Sequence, residues 1–275
     1  MHRFYIAPED WNPDALVLSE AEAHHARDVL RLKQGDKVVV FNGRGREVTA
    51  EIIDRGRGEI RLRKFSESDT PPLRCRIALA QAVPKGKNME LIVQKAVEIG
   101  ASEIFPLISE RTIVDLDPDE AAQKQAKWQT VAIEAAKQCG QNWLPQVYKP
   151  QKLKTFFEQA TTAFRCDSGR RLAVESSDPS RATGKSPLLD FDLRLIGSLQ
   201  PGAMHLKKIL ADYCSEHRHL PERVLMLIGP EGDFTPAEIA LARTHVCLPI
   251  TLGPIVLRVE TAAIYCLSVL SYELL

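Results

Sequence analysis

Two segments near the carboxyl end of the chain combine residue types that could bind a ligand and act on it. They run from residue 227 to 234 and from residue 251 to 263. Each contains a Gly-Pro turn, and glycine lets the main chain approach a ligand closely. The second segment also brings Arg258 and Glu260 to the predicted start of a helix. An arginine there can stabilise negative charge in a transition state, and a carboxylate can orient the arginine or accept a proton.

Each segment also has a simpler interpretation. A Gly-Pro-Glu-Gly run is typical of an ordinary turn. Opposite charges at a helix start, next to Thr261 as a cap, are also typical of a structural ion pair. The choice between these interpretations depends on which elements position the two segments.

From residue 73 onward the hydrophobic pattern alternates between strand and helix. The predicted strands are 76–83, 103–109, 161–166, 193–197, 224–228 and 246–252. The predicted helices are 88–99, 117–140, 151–160, 203–217, 236–244 and 260–274. Asn88 is the predicted cap of the first helix, and Thr235 and Glu238 form a predicted capping box. This alternation predicts an α/β fold with a mostly parallel sheet, which binds ligands at the carboxyl ends of its strands.

The first 72 residues follow a different pattern. Short apolar or alternating runs at 38–41, 48–52 and 60–62 are separated by Gly-rich turns, which predicts a β-meander closed into a small barrel. Between residues 24 and 64 there are eleven Lys/Arg against six Asp/Glu, besides two histidines. Such a basic surface is typical of nucleic-acid binding, although cations that merely solvate exposed strands would give the same count.

We therefore expect two domains, 1–72 and 73–275, joined through a Pro-rich linker at 66–72. Residues 167–190 are rich in Ser, Pro, Gly and Arg and have no apolar period, which predicts an exposed insertion. The apolar positions of the last helix could pack in the core or against a second copy of the chain. These positions are Ala263, Ile264, Leu267, Leu270 and Leu274.

Composition excludes several classes of protein. The 275 residues are 44% hydrophobic and 26% charged with zero formal net charge, which is typical of a globular protein. The sequence has no stretch with the length and apolarity of a signal peptide or membrane span, so we expect a cytoplasmic protein with no membrane partner. Six scattered cysteines without a CxxC pair argue against a disulfide framework, and no cluster with metal-ligand spacing predicts a metal.

Common nucleotide and hydrolase motifs are missing from the sequence. It contains no GxGxxG, GxxxxGK[ST], GxSxG or HExxH. The sequence therefore argues against four common classes of protein, namely ordinary dinucleotide-binding proteins, P-loop proteins, hydrolases and zinc proteases.

The order of several longer motifs resembles a known family. The chain is similar to the bacterial small-subunit (16S) ribosomal RNA uridine-N3 methyltransferases of the SPOUT superfamily, nearly from end to end. The motifs that carry this resemblance are RFYI (3–6), HHARDVLRLKQGD (24–36), QAVPKGKNMELIVQKAVEIGA (81–101), SERTIV (109–114), EAAKQCGQ (134–141), IGPEGDF (228–234) and LGPIVLRVETAA (252–263).

The resemblance implies a PUA-like β-barrel followed by a SPOUT-type α/β domain whose C-terminal segment forms a trefoil knot, a rare exception to the rule that folds are unknotted. It also implies a homodimer that uses S-adenosyl-L-methionine, without a metal, to methylate N3 of a uridine. The target is small-subunit ribosomal RNA within the assembled 30S subunit.

Site residues follow from the resemblance as expectations. Arg258 is expected to stabilise the uridine anion, and Glu260 to orient Arg258 or receive the proton. The residues expected to bind the cofactor are Ile228, Gly229, Pro230, Glu231, Gly232, Leu252, Gly253, Leu257, Thr261 and Ala262. The residues expected to bind RNA are Arg3, His24, His25, Arg27, Arg31 and Lys85.

The sequence departs from the family pattern at four positions. Family members usually have arginine at Gln141, a second glycine at Asp233, arginine near Ile255 and threonine at Val259. These departures leave two alternatives open: a SPOUT enzyme that acts on another RNA base, or a non-catalytic RNA-binding ribosome assembly factor.

Overall fold

A computed structural model describes residues 1–56, 58–112, 116–158 and 191–275. The predicted strand at 161–166 and the predicted insertion at 167–190 lie outside the described residues. The described chain forms two compact units. The first comprises Met1–Leu73 and Gln129–Gln146, and the second comprises Arg74–Trp128 and Val147–Leu275. The first unit therefore includes a segment from the middle of the chain that the 1–72 boundary leaves out.

The first unit is built on a five-stranded sheet in the order β1-β3-β4-β5-β2. Its strands are β1 (Arg3–Tyr5), β2 (Val17–Ser19), β3 (Lys37–Phe41), β4 (Arg46–Arg55) and β5 (Glu59–Asp69). Between β2 and β3 the chain forms α1 (Glu20–His24) and a π-helical turn (His25–Val29). The pair β1 and β3 is parallel, and the other pairs are antiparallel.

Alternation explains why this sheet has one apolar face. Val48, Ala50 and Ile52 of β4 are fully buried, whereas the residues between them are partly exposed. They pack with Val38, Val40 and other apolar residues into one core. The strands expected from the meander pattern are confirmed, and β1 and β2 extend the sheet at its two edges. The linker predicted at 66–72 is wrong for residues 66–69, because β5 continues to Asp69 and pairs with β4 over that length.

The second unit has an eight-stranded sheet in the order β11-β13-β10-β12-β6-β7-β8, with β9 also paired to β7. Its strands are β6 (Arg76–Ala82), β7 (Glu103–Ile108), β8 (Gln146–Val147), β9 (Gln151–Lys152), β10 (Leu193–Gly197), β11 (Met204–His205), β12 (Arg223–Ile228) and β13 (Leu248–Thr251). The pairs that join β6, β7, β10, β12 and β13 are all parallel. The predicted α/β fold with a parallel sheet is confirmed.

Helices connect these strands. They are α2 (Asn88–Ile99), α3 (Pro118–Cys139), α4 (153–158), α5 (Leu206–His217), α6 (Pro236–Thr244) and α7 (Val259–Leu274). The strands β6 and β12 pack against α4 and α6 through one buried cluster, and α7 packs against β6, β12 and α2. Helix α3 continues from the second unit into the first.

Most predicted boundaries agree with the structure. The predicted limits of β10 and α6 and the predicted end of α2 at Ile99 are the observed ones, and the capping box of Thr235 and Glu238 is present. The predicted cap at Asn88 is wrong, because Lys87 is the N-cap and Asn88 is the first helical residue. The predicted helices at 151–160 and 203–217 begin later, because residues 151–152 and 204–205 pair as the short strands β9 and β11.

Helix α7 is mainly a core helix. Ala263, Leu267, Leu270 and Leu274 are each at most 2% exposed within a single chain. The suggestion that this apolar face joins two copies is therefore wrong for these four residues, because α2, β6 and β12 already cover the helix. Within the described part of the chain, no helix is long and apolar enough to cross a membrane.

Replacing Leu267 with alanine should therefore destabilise the fold. The side chain is 1% exposed, so Leu267→Ala should lower the free energy of unfolding by about 2 to 5 kcal/mol. Tyr272→Ala on the same helix is the control, since Tyr272 is 88% exposed and surface changes usually stay within about 0.5 kcal/mol. Urea unfolding of the two variants measures both values, and equal losses would contradict the packing described for α7.

Candidate functional site

The second unit has a cavity at the carboxyl ends of three neighbouring strands. The strands β13, β10 and β12 are adjacent and parallel, so the segments that follow them meet at one edge of the sheet. The cavity has a volume of about 440 Å³, which suits a small organic ligand. Its lining comes from the segments 197–199, 228–233 and 252–262, together with Asn88.

Most residues expected to bind a ligand line this cavity. They are Ile228, Gly229, Pro230, Glu231, Leu252, Gly253, Leu257 and Ala262, together with Arg258 and Glu260. Gly232 and Thr261 are outside the lining. The carbonyl of Gly232 accepts a hydrogen bond from the Arg111 guanidinium, and Thr261 is exposed on the first turn of α7.

Sequence reasoning missed one wall of the cavity. Gly197, Ser198 and Leu199 follow β10 and line the cavity, as does Asn88 at the start of α2. The loop after β10 could have been found, because it follows a predicted parallel strand and begins with Gly-Ser. Ile255, Val256 and Val259 complete the apolar part of the lining.

Two glycines have conformational reasons to be glycine. A Cβ atom on Gly229 would lie 3.1 Å from the backbone nitrogen of Phe234. Any larger residue at position 229 would therefore force the backbone of this turn to move. Gly253 has a φ of +110°, a region that residues with a side chain rarely adopt. Both positions allow the main chain itself to form the wall of the cavity.

Contacts from other segments hold the loop after β12 in place. The Glu231 carboxylate accepts a hydrogen bond of 2.9 Å from the backbone nitrogen of Lys85. At the end of the loop, the buried Glu238 carboxylate accepts from the backbone nitrogens of Glu110 and Thr235, each at 2.9 Å. The loop is thus fixed to the segments that follow β6 and β7.

Arg258 and Glu260 are both in the lining, but they do not pair. Glu260 accepts a hydrogen bond of 3.3 Å from the Asn88 amide. Arg258 is the N-cap of α7 and is exposed. Its carbonyl accepts from the backbone nitrogen of Ala262 at 2.8 Å, but its guanidinium makes no hydrogen bond or ion pair with any other described residue. The structural ion pair considered from the sequence is therefore absent among the described residues.

Asp233 has an unusual backbone conformation. Its φ is +62°, in the left-handed region. Its carboxylate accepts hydrogen bonds from the backbone nitrogens of Leu199 at 3.0 Å and Phe234 at 2.7 Å. Asp233 thus links the loops that follow β10 and β12.

The residues expected to bind RNA differ in how free their side chains are. The Arg3 guanidinium lies over the Phe41 ring, donates to Asn142 and pairs with Glu47. It is largely buried within the first unit.

The other RNA candidates are more accessible. Arg27 donates to both carboxylate oxygens of Asp28 and to the Gly56 carbonyl, and His25 packs edge-on against Phe4. His24 and Arg31 are exposed in the first unit, and Lys85 is exposed in the second. Over the described ranges there is no group of three His, Cys, Asp or Glu that could hold a metal ion.

Comparison with protein families gives two matches. Residues 71–271 match the family model described as an RNA methyltransferase domain. Residues 18–65 match the family model described as an RNA methyltransferase PUA domain. The two matches together span nearly the whole chain.

Individual relatives agree with these matches. The chain is 31% identical to the ribosomal RNA small subunit methyltransferase E of Synechocystis over 95% of this chain and 74% of the relative. A solved methyltransferase from Legionella pneumophila with bound S-adenosylmethionine is 32% identical, with a TM-score of 0.78 and coverage of 98% and 97%. The solved ribosomal RNA small subunit methyltransferase E from Neisseria gonorrhoeae, bound to S-adenosylmethionine, is 26% identical, with a TM-score of 0.76 and coverage of 99% and 98%.

Proposed function

Because this chain belongs to the ribosomal RNA small subunit methyltransferase E family, we propose that it methylates N3 of a uridine in small-subunit (16S) ribosomal RNA. S-adenosyl-L-methionine is the proposed methyl donor. The observation that supports this most directly is the cavity formed by the segments after β10, β12 and β13. Two relatives of the same overall fold were solved with this molecule bound.

The chemistry of the lining fits the donor. S-adenosylmethionine supplies an electrophilic methyl group on a positively charged sulfonium. The lining offers apolar residues for an adenosine group and three carboxylates, those of Glu231, Asp233 and Glu260, against the single guanidinium of Arg258. This excess of acidic groups favours a cationic ligand.

Uridine presents a specific chemical difficulty, because N3 carries a proton and is a poor nucleophile until that proton leaves. We propose that Arg258 stabilises negative charge on the uracil oxygens, since its guanidinium has no partner among the described residues. Glu260 is bonded to Asn88 and not to Arg258, which favours Glu260 as the proton acceptor over a role in orienting the arginine.

The finer structural expectations are part of the same proposal. We propose that residues 1–72 form a PUA-like barrel that binds RNA through His24, His25, Arg27 and Arg31, with Lys85 contributing from the 73–275 domain. The match to an RNA methyltransferase PUA domain supports this assignment.

We also propose that residues 73–275 form a SPOUT-type domain with a C-terminal trefoil knot, and that the protein acts on the 30S subunit as a cytoplasmic homodimer. The exposed apolar side chains of Ile255 and Val256 are suited to a partner subunit, in contrast to the buried face of α7. Gly232 and Thr261 remain proposed contributors to donor binding from the rim of the site.

We expect the protein to bind S-adenosylmethionine without added metal, because the lining provides main-chain, apolar and carboxylate groups and the described residues hold no metal-ligand cluster. Calorimetry on chelator-treated protein measures this binding. Binding that returns only with a divalent metal would contradict the proposed cofactor site.

Arg258→Ala should lower turnover by roughly 10²-fold or more, the scale seen when one preorganised electrostatic donor is removed. Affinity for the donor should change much less, and Arg258→Lys should restore activity only in part because an ammonium lacks the planar guanidinium fork. Single-turnover methylation with saturating RNA and donor measures the effect. Near-normal methylation by Arg258→Ala would remove this residue from the mechanism.

A companion variant tests Glu260. If Glu260 accepts the proton, Glu260→Gln should lose activity that partly recovers at higher pH, where more uridine is already ionised. A carboxylate that only orients neighbouring groups would give the same loss at every pH.

Mapping of the methylated nucleotide in the product decides between uridine N3 and another RNA base. Donor binding without methylation of any RNA would favour a non-catalytic assembly factor.

Replacing Arg27 and Arg31 with alanine should weaken RNA binding and leave donor affinity unchanged. For each phosphate that the variant no longer neutralises, the slope of log affinity against log salt should become shallower by about 0.7 to 0.9. Lys154→Ala is the control, since Lys154 is an exposed cation of the second unit. Equal damage to RNA binding by the control, or damage to donor binding by the double variant, would contradict the proposed RNA surface.

A further inference from the structure

We propose that Asp233 is a positioning residue that fixes two walls of the cavity relative to each other and so preorganises the donor site. The walls are the loop 197–199 after β10 and the loop 228–234 after β12. The inference rests on the proposed function for the identity of the ligand. The hydrogen bond that links the two loops is present in the structure without any ligand.

The bonds of the Asp233 carboxylate define this role. Oδ2 accepts from the backbone nitrogen of Leu199 at 3.0 Å, and Oδ1 accepts from the backbone nitrogen of Phe234 at 2.7 Å. The backbone nitrogen of Asp233 itself donates to the Pro230 carbonyl at 2.9 Å. The backbone of Asp233 therefore closes the turn, and its side chain ties that turn to a loop more than thirty positions earlier in the sequence.

The backbone conformation of Asp233 has an energetic cost that its side-chain hydrogen bonds can offset. With a φ of +62°, position 233 suits glycine best, because glycine adopts the left-handed region without steric cost. An aspartate tolerates this region less well than glycine, although better than most residues. The carboxylate and its two hydrogen bonds therefore offset a conformational cost that glycine would avoid.

The loop 197–199 depends on hydrogen bonds for its position. The Leu199 side chain is 63% exposed, so burial of this residue does little to anchor the loop. Ser198 is buried, and its backbone nitrogen donates to the Ile250 carbonyl of β13 at 3.0 Å. The loop is thus attached to β13 on one side and, through Asp233, to the segment after β12 on the other.

The chain offers a matched control for this arrangement. Asp192 also accepts two backbone hydrogen bonds, from Glu222 and Arg223, each at 2.9 Å. These bonds join the segments that precede β10 and β12, at the opposite ends of the same two strands, and Asp192 is outside the cavity lining. Asp192→Asn therefore replaces a carboxylate that links the same two strands, as Asp233→Asn does, but at a place away from the donor site.

The experiment compares the full-length protein with three variants. Asp233→Gly removes both acceptors without backbone strain, Asp233→Asn keeps one carbonyl acceptor and tolerates the same φ, and Asp192→Asn is the control. For Asp233→Gly we expect the KM and Kd for S-adenosylmethionine to rise about tenfold or more, the scale of one charge-assisted hydrogen bond. The kcat at saturating donor should stay within about twofold, because Arg258 and Glu260 are untouched.

Asp233 also contributes negative charge to the lining, and Asp233→Asn separates this effect from the positioning effect because it loses the charge but keeps one acceptor. A positioning role predicts a donor affinity between those of the wild type and Asp233→Gly, whereas the loss of charge alone predicts equal affinities for the two Asp233 variants. Asp192→Asn should bind the donor as the wild type does. Hydrogen exchange of the ligand-free protein provides a readout that needs no donor. The backbone amide of Leu199 should exchange faster in Asp233→Gly than in the wild type and should be unchanged in Asp192→Asn.

The outcomes separate this inference from the proposed function. If the wild type binds no S-adenosylmethionine, the proposed function fails, and exchange at Leu199 still decides whether Asp233 fixes the loop. If the wild type binds the donor and Asp233→Gly binds it equally well, the positioning role is wrong. A loss of kcat at unchanged KM, or unchanged exchange at Leu199, would also overturn it.

Discussion

The parallel pairing of β10 with β12 and with β13 is the constraint on which the site depends. In this register Ile196 is opposite Leu227, and Gly197 is opposite Ile250, so the three strands end at nearly the same level. A slip of one residue would move one wall by about 3.3 Å and turn its side chains to the other face of the sheet. The buried Ile196, Leu227 and Ile250 oppose such a slip. The apolar core of the second unit therefore sets the shape of the cavity.

Local features of the sequence explain why so many elements were predictable. The limits of α2 and α6 are encoded within a few residues, by Gly100 with its φ of +95° and by the capping box of Thr235 and Glu238. The ligand segments were also predictable, because Gly-Pro turns directly after two strands are visible without any tertiary information. In contrast, Asn88 contacts Glu260 across 172 positions. A contact between residues so far apart leaves no periodic signal in one sequence, and the local pattern around Asn88 indicates only a helix cap.

Sequence patterns also fail to distinguish two roles that the same residue type can have. An apolar helix face looks identical whether it packs in a core or against another subunit, and in α7 the core covers it. A basic residue counts equally in a charge sum whether it is solvated or paired. Arg3 contributes to the basic character of the first unit, yet its guanidinium is held by Glu47, Asn142 and Phe41. Charge counts therefore identify a basic segment, and only the contacts identify which of its cations are accessible.

The charge arrangement of the cavity also follows from where the partners lie. Glu231, Asp233 and Glu260 accept hydrogen bonds from backbone or amide N–H groups, and none pairs with a cation among the described residues. Neutral donors position these carboxylates but leave their negative charge intact, so the cavity keeps a field that favours a sulfonium and an ammonium group. Arg258 is also in the lining, and its guanidinium has no partner within the described ranges. If Glu260 paired with Arg258, each charge would screen the other. Because they are apart, the site has both an acidic wall suited to a cationic donor and a guanidinium that is unpaired within the described part of the chain, which is the group that the proposed mechanism needs for an anionic base.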